Sequence, residues 1–470
     1  MPDEMIMTQN VMFEHEGMKM YCDSAIFNEK ENRFEAFGNI FINQKDTLKI
    51  WGDELYYDGQ TKIGELYGET IRMEDHRLML ETDYLILERI PNTISYNNWA
   101  YIYDSISTLK SQIGVYDLSY KEFVFTNKVE IYSDSSYVYS DTMTYNSRTK
   151  LASFYGPTQI ISKDSTLIYT ELGLYNTQTE TSKSFRKGRI TNESRLIIAD
   201  SLEYDSKRKY GVGLRNILIE DSVNSLIVTG HNLYINNNDS IPYSFITERA
   251  LCKYYDKGDT LYIHSDTILI HYDTSMNLES INLFERVKFY REDFQGYASR
   301  IDYNMSDSLL YMTGSPVVWD KETEISSDTI RVLIKNEIYN LKAYYNAFLI
   351  QIADTMYSDR HNQVKGREIE GYFEDNNIYL LEVNGNSQLL YYIYEEKDDE
   401  NELIGINIGE GSEMKIYFED KKINKLTTIN KPNFYADDID NIPESERFLK
   451  GYKNRFDKRP KSPEEVFDLE

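Results

Sequence analysis

One outline recurs along this chain at intervals of about 30 residues. Three clear copies are DELYYDGQTKIGELYGETIRM (53–73), DTMTYNSRTKLASFYGPTQII (141–161) and DSLEYDSKRKYGVGLRNILIE (200–220). Each copy opens with an acidic residue, and apart from one degenerate copy near 113–116 the openers are spaced by 29 or 30: Asp23, Asp53, Asp83, Asp141, Glu171 and Asp200. A unit this short cannot bury its apolar face alone, so the register predicts copies stacked into a continuous repeat structure.

Apolar and polar residues alternate inside each copy, as in Asp53-x-Leu55-x-Tyr57 and Asp141-x-Met143-x-Tyr145. A period of two predicts a β-strand with one buried face. A turn such as DGQTK or NSRTK follows, and then a second alternating run that often begins with glycine. We therefore predict an all-β protein with two or three strands of about ten residues in each repeat and almost no helix.

The net charge narrows the possible partners, whereas the two cysteines say nothing about the compartment. A formal net charge of −27 repels polyanions, so the sequence argues against nucleic acid and against an anionic membrane surface. The start, MPDEMIMTQNVMFEHEG, has neither a basic nor an apolar leader segment, which predicts either a cytoplasmic protein or a sequence that begins after a removed leader. Cys22 and Cys252 lie more than seven repeats apart, roughly 35 Å or more at one strand spacing per repeat, so no disulfide is expected between them.

The segment CDSAIFNEKENRFEAFGNIFINQKDTLKIWGDELYYD (22–58) resembles the OstA/LptA superfamily of lipopolysaccharide transport proteins, particularly the long OstA-like form. The resemblance covers about residues 10–435. It implies an elongated repeat β-jellyroll or solenoid, a "taco" of two V-shaped sheets, whose apolar groove carries lipopolysaccharide acyl chains across the periplasm toward the outer membrane. It also implies a periplasmic location and, as partners, other Lpt-type β-jellyroll proteins that pair through edge strands.

We expect a short lead at 1–9, one continuous OstA-like repeat domain at 10–435 and a mixed-charge tail at 436–470. The tail contains a possible short helix at PESERFLKGYKNRF (443–456). It is expected to be partly disordered, and the competing interpretation is a docking peptide that caps the last repeat or binds a partner. Because Val11 and Phe13 already alternate at the start, the N-terminal edge is expected to be open to strand pairing.

The alternation also selects candidate residues for the lipid groove. They are the inward positions of the clearest strands: Leu55, Tyr57, Ile71, Met73, Leu85, Leu87, Met143, Tyr145, Leu202, Tyr204, Ile268 and Ile270. Burying a twelve-carbon acyl chain in such a groove would contribute about 9 kcal/mol before ordering costs. The alternative is a structural or adhesive β-solenoid in which the same residues fill a packed core and leave no space for lipid.

Nothing in the sequence favours an enzyme or a cofactor. The phosphate-binding, serine-hydrolase and zinc-protease motifs are absent. His264 and His271, seven residues apart in a strand, would lie over 20 Å apart on opposite faces, so a shared metal site is not expected. We therefore predict a non-enzymatic protein with no cofactor and no metal, and a polysaccharide-degrading β-helix is only a third possibility.

Overall fold

The structure is a computed structural model that describes residues 4–468 except 16, 164, 193, 239, 257, 335–337, 355, 358, 375–376, 398–399, 420–421 and 431. The chain divides into two compact units, Met1–Ile219 and Glu220–Glu470. Among the described residues, no helix is long and apolar enough to cross a membrane.

The first unit is built from antiparallel β-strands. They are β1 Glu4–His15, β2 Met18–Asn28, β3 Arg33–Gln44, β4 Leu48–Asp58, β5 Ile63–Asp75, β6 Leu78–Glu88, β7 Thr93–Tyr96, β8 Ala100–Tyr103, β9 Ser107–Ser111, β10 Ile113–Asp117, β11 Glu122–Ser133, β12 Ser136–Asn146, β13 Leu151–Phe154, β14 Thr158–Ser162, β15 Leu167–Thr170, β16 Leu172–Asn176, β17 Thr181–Arg186, β18 Gly188–Thr191, β19 Arg195–Ala199, β20 Ser201–Asp205 and β21 Tyr210–Asp221, whose last residues lie past the boundary.

The second unit is also antiparallel. Its strands are β22 Leu226–Asn236, β23 Tyr243–Asp256, β24 Asp259–Tyr272, β25 Leu278–Arg291, β26 Phe294–Asn304, β27 Leu309–Thr313, β28 Val317–Asp320, β29 Thr323–Ser326, β30 Thr329–Ile334, β31 Ile338–Ile352, β32 His361–Glu374, β33 Asn377–Lys397, β34 Glu400–Glu419, β35 Lys422–Ile429 and β36 Asn433–Asp437. Four 3₁₀ turns follow, at Ile439–Asn441, Glu444–Glu446, Phe456–Lys458 and Glu464–Phe467.

Each long strand is bent near its middle. Between β3 and β4, for example, the register shifts between the pairs Phe37↔Glu54 and Ile40↔Gly52. Such a bulge bends the strand, and we call the parts of the sheet on either side of the bends its two half-sheets. In other repeats the two halves are separate strands, as with β7 and β8, which both pair with β6. In the first unit the two half-sheets enclose the buried side chains.

The acidic openers of the repeat lie at these bends. Asp23 accepts a hydrogen bond from Asn39 Nδ2 at 2.8 Å, and Asp200 accepts one from Asn216 Nδ2 at 2.8 Å. Asn39 and Asn216 both have positive φ, a conformation that asparagine tolerates better than most residues. The repeated acid therefore fixes the corner of the following strand.

The degenerate copy follows the same plan with an amide instead of a carboxylate. Gln112 stands 29 residues after Asp83 and 29 before Asp141. Its Oε1 accepts a hydrogen bond from Asn127 Nδ2 at 2.7 Å, and Asn127 also has positive φ. The missing opener is thus Gln112, one residue before the stretch that the sequence pattern indicated.

The all-β architecture expected from the sequence is confirmed, and the structure adds that the strands pair antiparallel. The clearest repeats contain two bent strands. The tail differs from expectation. The predicted helix at 443–456 is replaced by a 3₁₀ turn at Glu444–Glu446 and irregular backbone in which Gly451 has φ 99°. The tail is also not a loose extension, because its side chains and backbone bind the second unit, as with Arg455 on Glu324.

Candidate functional site in the interior of the first unit

One half-sheet of the first unit presents an uninterrupted row of aliphatic side chains to the interior. Each member is the direct cross-strand partner of the next, so all share one face. The row is Met20, Ile42, Ile50, Met73, Leu80, Ile102, Leu109, Ile131, Val138, Ile160, Ile168 and Ile190. We call it the aliphatic row. All of its side chains are buried, so it forms a continuous hydrocarbon surface across the strands.

The facing half-sheet carries a row in which aromatic residues predominate. Its members, again direct cross-strand partners, are Phe34, Tyr57, Gly64, Leu87, Ile94, Tyr116, Phe123, Tyr145, Ala152, Tyr175, Ser182 and Tyr204. We call it the aromatic row. The rings of Tyr116 and Phe123 stack with centroids 4.1 Å apart. Tyrosines bring hydroxyl groups to an otherwise apolar interior, and each needs a partner there.

The structure places the candidate groove residues in or beside these rows. Met73 belongs to the aliphatic row, while Tyr57, Leu87, Tyr145 and Tyr204 belong to the aromatic row. The others are all buried, with Ile268 and Ile270 in the second unit: Leu55, Ile71, Leu85, Met143, Leu202, Ile268 and Ile270. Only Tyr57 and Leu87 among the twelve candidates are half-buried. The lipid contact assigned to these residues stays a prediction.

The interior of the first unit is closely packed. Leu66, Met73, Leu85 and Met143 have no surface in contact with solvent. Side chains this enclosed leave no water-sized space beside them. A hydrocarbon ligand could therefore reach these residues only if the two half-sheets move apart.

A buried ionic cluster joins the rims of the two half-sheets. Asp75, at the end of β5, accepts hydrogen bonds from Tyr116 OH at 2.8 Å and from Lys121 Nζ at 2.5 Å. The Asp75 side chain is only 1% exposed, and that of Lys121 is 22% exposed. We call this arrangement of one aspartate, one tyrosine and one lysine a clasp.

A second clasp repeats the first one repeat later. Asp104 accepts a hydrogen bond from Tyr145 OH at 2.6 Å and forms an ion pair with Lys150, whose side chain is 17% exposed. Tyr175 continues the series with a hydroxyl contact of 2.8 Å to Ser136 Oγ. A cleft of about 380 Å³ lies between the two clasps. The rim is therefore closed at three successive repeats.

The electrostatics of the first clasp favour the charged form of its carboxylate. Burial alone would raise the pKa of Asp75, but hydrogen bonds from Lys121, His76 and Tyr116 outweigh burial and lower that pKa. Burial, followed by the charge of Asp75, raises the pKa of Tyr116. At neutral pH the clasp therefore contains an ionised aspartate and a neutral tyrosine.

The clasps were not predicted from the sequence, although a signal exists. Tyr116 and Tyr145 are each followed five residues later by lysine, and each lysine stands 46 residues after its aspartate. The aspartates fall at strand ends, where the sequence favours local turns. Only the closure of the two half-sheets brings the aspartates to the lysines.

The described residues contain no cluster of three or more histidine, cysteine or acidic side chains arranged to hold a metal ion. Cys22 and Cys252 are free and buried. Burial raises the pKa of the Cys252 thiol to about 12, which keeps it protonated and poorly nucleophilic.

Two segments of the sequence match protein families. Residues 1–141 match the family described as OstA-like protein. Residues 257–338 match the family described as LptA/(LptD N-terminal domain) LPS transport protein. No curated protein sequence matches the chain.

Two solved structures that match the chain overlay on it weakly. LptH from Pseudomonas aeruginosa, described as the LptA homologous periplasmic component of the lipopolysaccharide transport device, is 18% identical with a TM-score of 0.23, over 26% of this chain and 84% of LptH. PorZ from Porphyromonas gingivalis, described as a surface component of the type-IX secretion system, is 8% identical with a TM-score of 0.11, over 88% of this chain and 73% of PorZ. Both TM-scores are too low to support an inference.

Proposed function

Because both matched segments confirm the resemblance to the OstA/LptA superfamily, we propose that this chain is a non-enzymatic lipopolysaccharide transport protein that holds acyl chains between the half-sheets of its first unit. It acts in the periplasm and passes lipid toward the outer membrane. Its ligand is held by the hydrocarbon tails, because the acidic exterior repels an anionic head group.

The aliphatic row is the observation that carries this proposal. It crosses twelve strands or half-strands without a polar side chain. Hydrocarbon laid along the row would gain about 0.8 kcal/mol per buried CH₂. Such binding suits passage of a lipid. Because it does not favour a transition state over a ground state, it gives no leverage for catalysis.

Lipid entry requires the rim to open at the clasps. Asp75 and Asp104 join the two half-sheets where an acyl chain would pass between them. Their ion pairs are local, so one clasp can open while the next stays closed. Sequential opening would admit a chain without exposing the whole apolar interior.

A packed structural solenoid is the second candidate function. The complete burial of Leu85 and Met143 favours it, because a side chain without accessible surface already has a full set of neighbours. The two candidates differ in whether the half-sheets separate in the presence of lipid.

Photo-crosslinking distinguishes them. A photo-reactive amino acid at Leu85, Met143 or Leu202 should label purified lipopolysaccharide on irradiation. The matched control is the same residue at Tyr139, which lies in the same strand as Met143 but is 42% exposed. Equal labelling at Tyr139 and the interior positions, or none at the interior positions, would favour the packed solenoid.

Edge-strand pairing with other Lpt-type proteins is the assembly mode that we propose. In the described part of the chain, the strand partner of β1 is β2. Met5, Ile6 and Met12 of β1 are more than half exposed, which is typical of a strand that accepts a neighbour. A Met12→Lys variant should weaken association with such a partner, whereas Met12→Leu should not.

A further inference from the structure

The second unit differs from the first in one inward row of side chains. Successive cross-strand partners on one face are Gln295, Trp319, Glu324, Ile350, Gln363 and Leu390. All six are at most 1% exposed. Three of the six side chains are polar, and one of these three is a carboxylate. The corresponding row of the first unit, the aliphatic row, has no polar member. We call this the mixed row.

The C-terminal segment, residues 438–468, binds the polar members of the mixed row. Gln363 accepts a hydrogen bond from Leu449 N at 2.8 Å and donates one to Arg447 O at 3.0 Å. Glu324 accepts hydrogen bonds from the backbone and the guanidinium of Arg455, at 2.9 and 2.7 Å.

The contacts continue in order toward the start of the second unit. Arg459 Nε donates to Gln295 Oε1 at 2.7 Å. Further on, Phe467 lies against His264, with ring centroids 4.7 Å apart, and Val466 is fully buried. The segment thus runs along the mixed row in the direction opposite to the order of its strands.

Apolar and backbone contacts hold the segment between these polar anchors. Ile442 packs in a buried cluster with Leu390. Tyr452 OH lies 3.1 Å from His361 Nδ1. Lys288 and Lys365 donate from the strands to carbonyl oxygens of the segment at 2.6 and 2.7 Å. The segment is therefore fixed along its length and not only at one end.

The charge of the segment complements its site. Residues 447–461 contain seven basic side chains and one acidic side chain, in a chain whose net charge is −27. The buried pair of Arg455 with Glu324 is the strongest element of this match, because a buried carboxylate requires a cation and hydrogen bonds. Hydrocarbon in the place of Arg455 would leave that carboxylate unpaired.

We infer that the mixed row is a peptide-binding groove whose resident ligand is the C-terminal segment, and that acyl chains are held by the first unit alone. The assignment of acyl chains to the first unit rests on the proposed function, whereas the peptide-binding groove does not. The polar side chains of the mixed row select peptide over lipid, so the chain divides its interior between two kinds of occupant. Ile268 and Ile270 then contribute to the packing of the second unit and not to a lipid path.

Cleavage of the chain just before the C-terminal segment tests whether the mixed row holds that segment as a bound peptide. A protease recognition site inserted between Asp437 and Asp438, both exposed, is cut after folding, and gel filtration measures whether the released segment stays bound. We expect retention in the otherwise unchanged protein. Glu324→Gln should speed release by at least about tenfold, while the control Glu322→Gln, at an exposed neighbour, should not. Immediate loss from the unchanged protein, or equal release from both variants, would overturn the groove.

Crosslinking then tests the division between the units. A photo-reactive residue at Ile350, which lies between Glu324 and Gln363 in the mixed row, should label the C-terminal segment and not lipopolysaccharide. The same residue at Met143 should label lipopolysaccharide. Lipid labelling at both positions would refute the division while leaving the proposed function intact. Lipid labelling at neither position would refute the proposed function. Labelling of the C-terminal segment from Ile350 would still test whether the mixed row is a peptide-binding groove.

Discussion

Lys121 Nζ lies 2.5 Å from Asp75 Oδ2 across the rim of the first unit, and the two residues are 46 positions apart in the chain. The side chain of Asp75 is almost fully removed from solvent. Removing one partner of a buried ion pair leaves the other charged and unpaired, which costs far more than losing an exposed pair.

We predict that Lys121→Met lowers the free energy of unfolding by about 3 kcal/mol. Lys183→Met, which breaks an exposed pair with Glu203, should cost less than about 1 kcal/mol. Urea unfolding followed by circular dichroism measures both variants. Similar costs for the two variants would mean that the clasp does not hold the rim closed.

Docking of the C-terminal segment should depend on pH through two buried histidines that contact it. Burial lowers the pKa of His264 and of His361. A histidine whose pKa is lowered by folding is neutral in the native state, so its contribution is present above the unfolded value of about 6.5 and is lost as the pH falls through the folded value.

We therefore predict that the second unit loses stability as the pH falls below about 6.5, by at most about 1.4 kcal/mol per pH unit for each histidine. Urea unfolding at a series of pH values measures the slope. His361→Gln should flatten it. If the double variant His264→Gln/His361→Gln lost stability with falling pH as steeply as the unchanged protein, the acid sensitivity would belong to other groups.

The strand pattern was predictable from the sequence because alternation with a period of two directly reports which side chains face inward. It placed Leu85 and Met143 correctly on the interior face. It also gave the register of the openers, although the reason for the acid, a hydrogen bond to the corner of the next strand, is visible only in three dimensions.

The tail could not be predicted in this way. Its hydrogen bonds to the mixed row join residues 84 to 164 positions apart, from Gln363 with Arg447 to Gln295 with Arg459. Such pairs leave no periodic trace in the sequence. The usable signal was indirect: polar residues at Gln295 and Glu324 interrupt alternating strands at inward positions, and a buried polar side chain requires a partner from somewhere in the chain.

The two cysteines should be unreactive in the folded protein. Burial raises the pKa of Cys252 to about 12, and burial together with Asp23 raises that of Cys22. At pH 8 both are thiols and not thiolates. We expect Ellman's reagent to modify neither until denaturant is added, whereas Tyr120→Cys, at a position that is 75% exposed, should react at once. Rapid modification of the unchanged native protein would show that one of these sites opens readily.

The corner at Asn216 gives a test of how the strands bend. Asn216 has φ 49°, and its side chain donates to Asp200. A β-branched side chain is strained in this conformation, so Asn216→Val should cost about 1 to 3 kcal/mol. Asn216→Gly keeps the conformation and loses only the exposed hydrogen bond, at a cost near 1 kcal/mol.

Thermal unfolding of the two variants, together with Asp200→Ala, separates conformation from hydrogen bonding. We expect Asp200→Ala to resemble Asn216→Gly, because both lose the same bond and keep the corner. Asn216→Val should lie well below both in midpoint temperature. If valine were tolerated as well as glycine, the positive φ would not be required, and the bend that separates the two half-sheets would have to arise from side-chain packing alone.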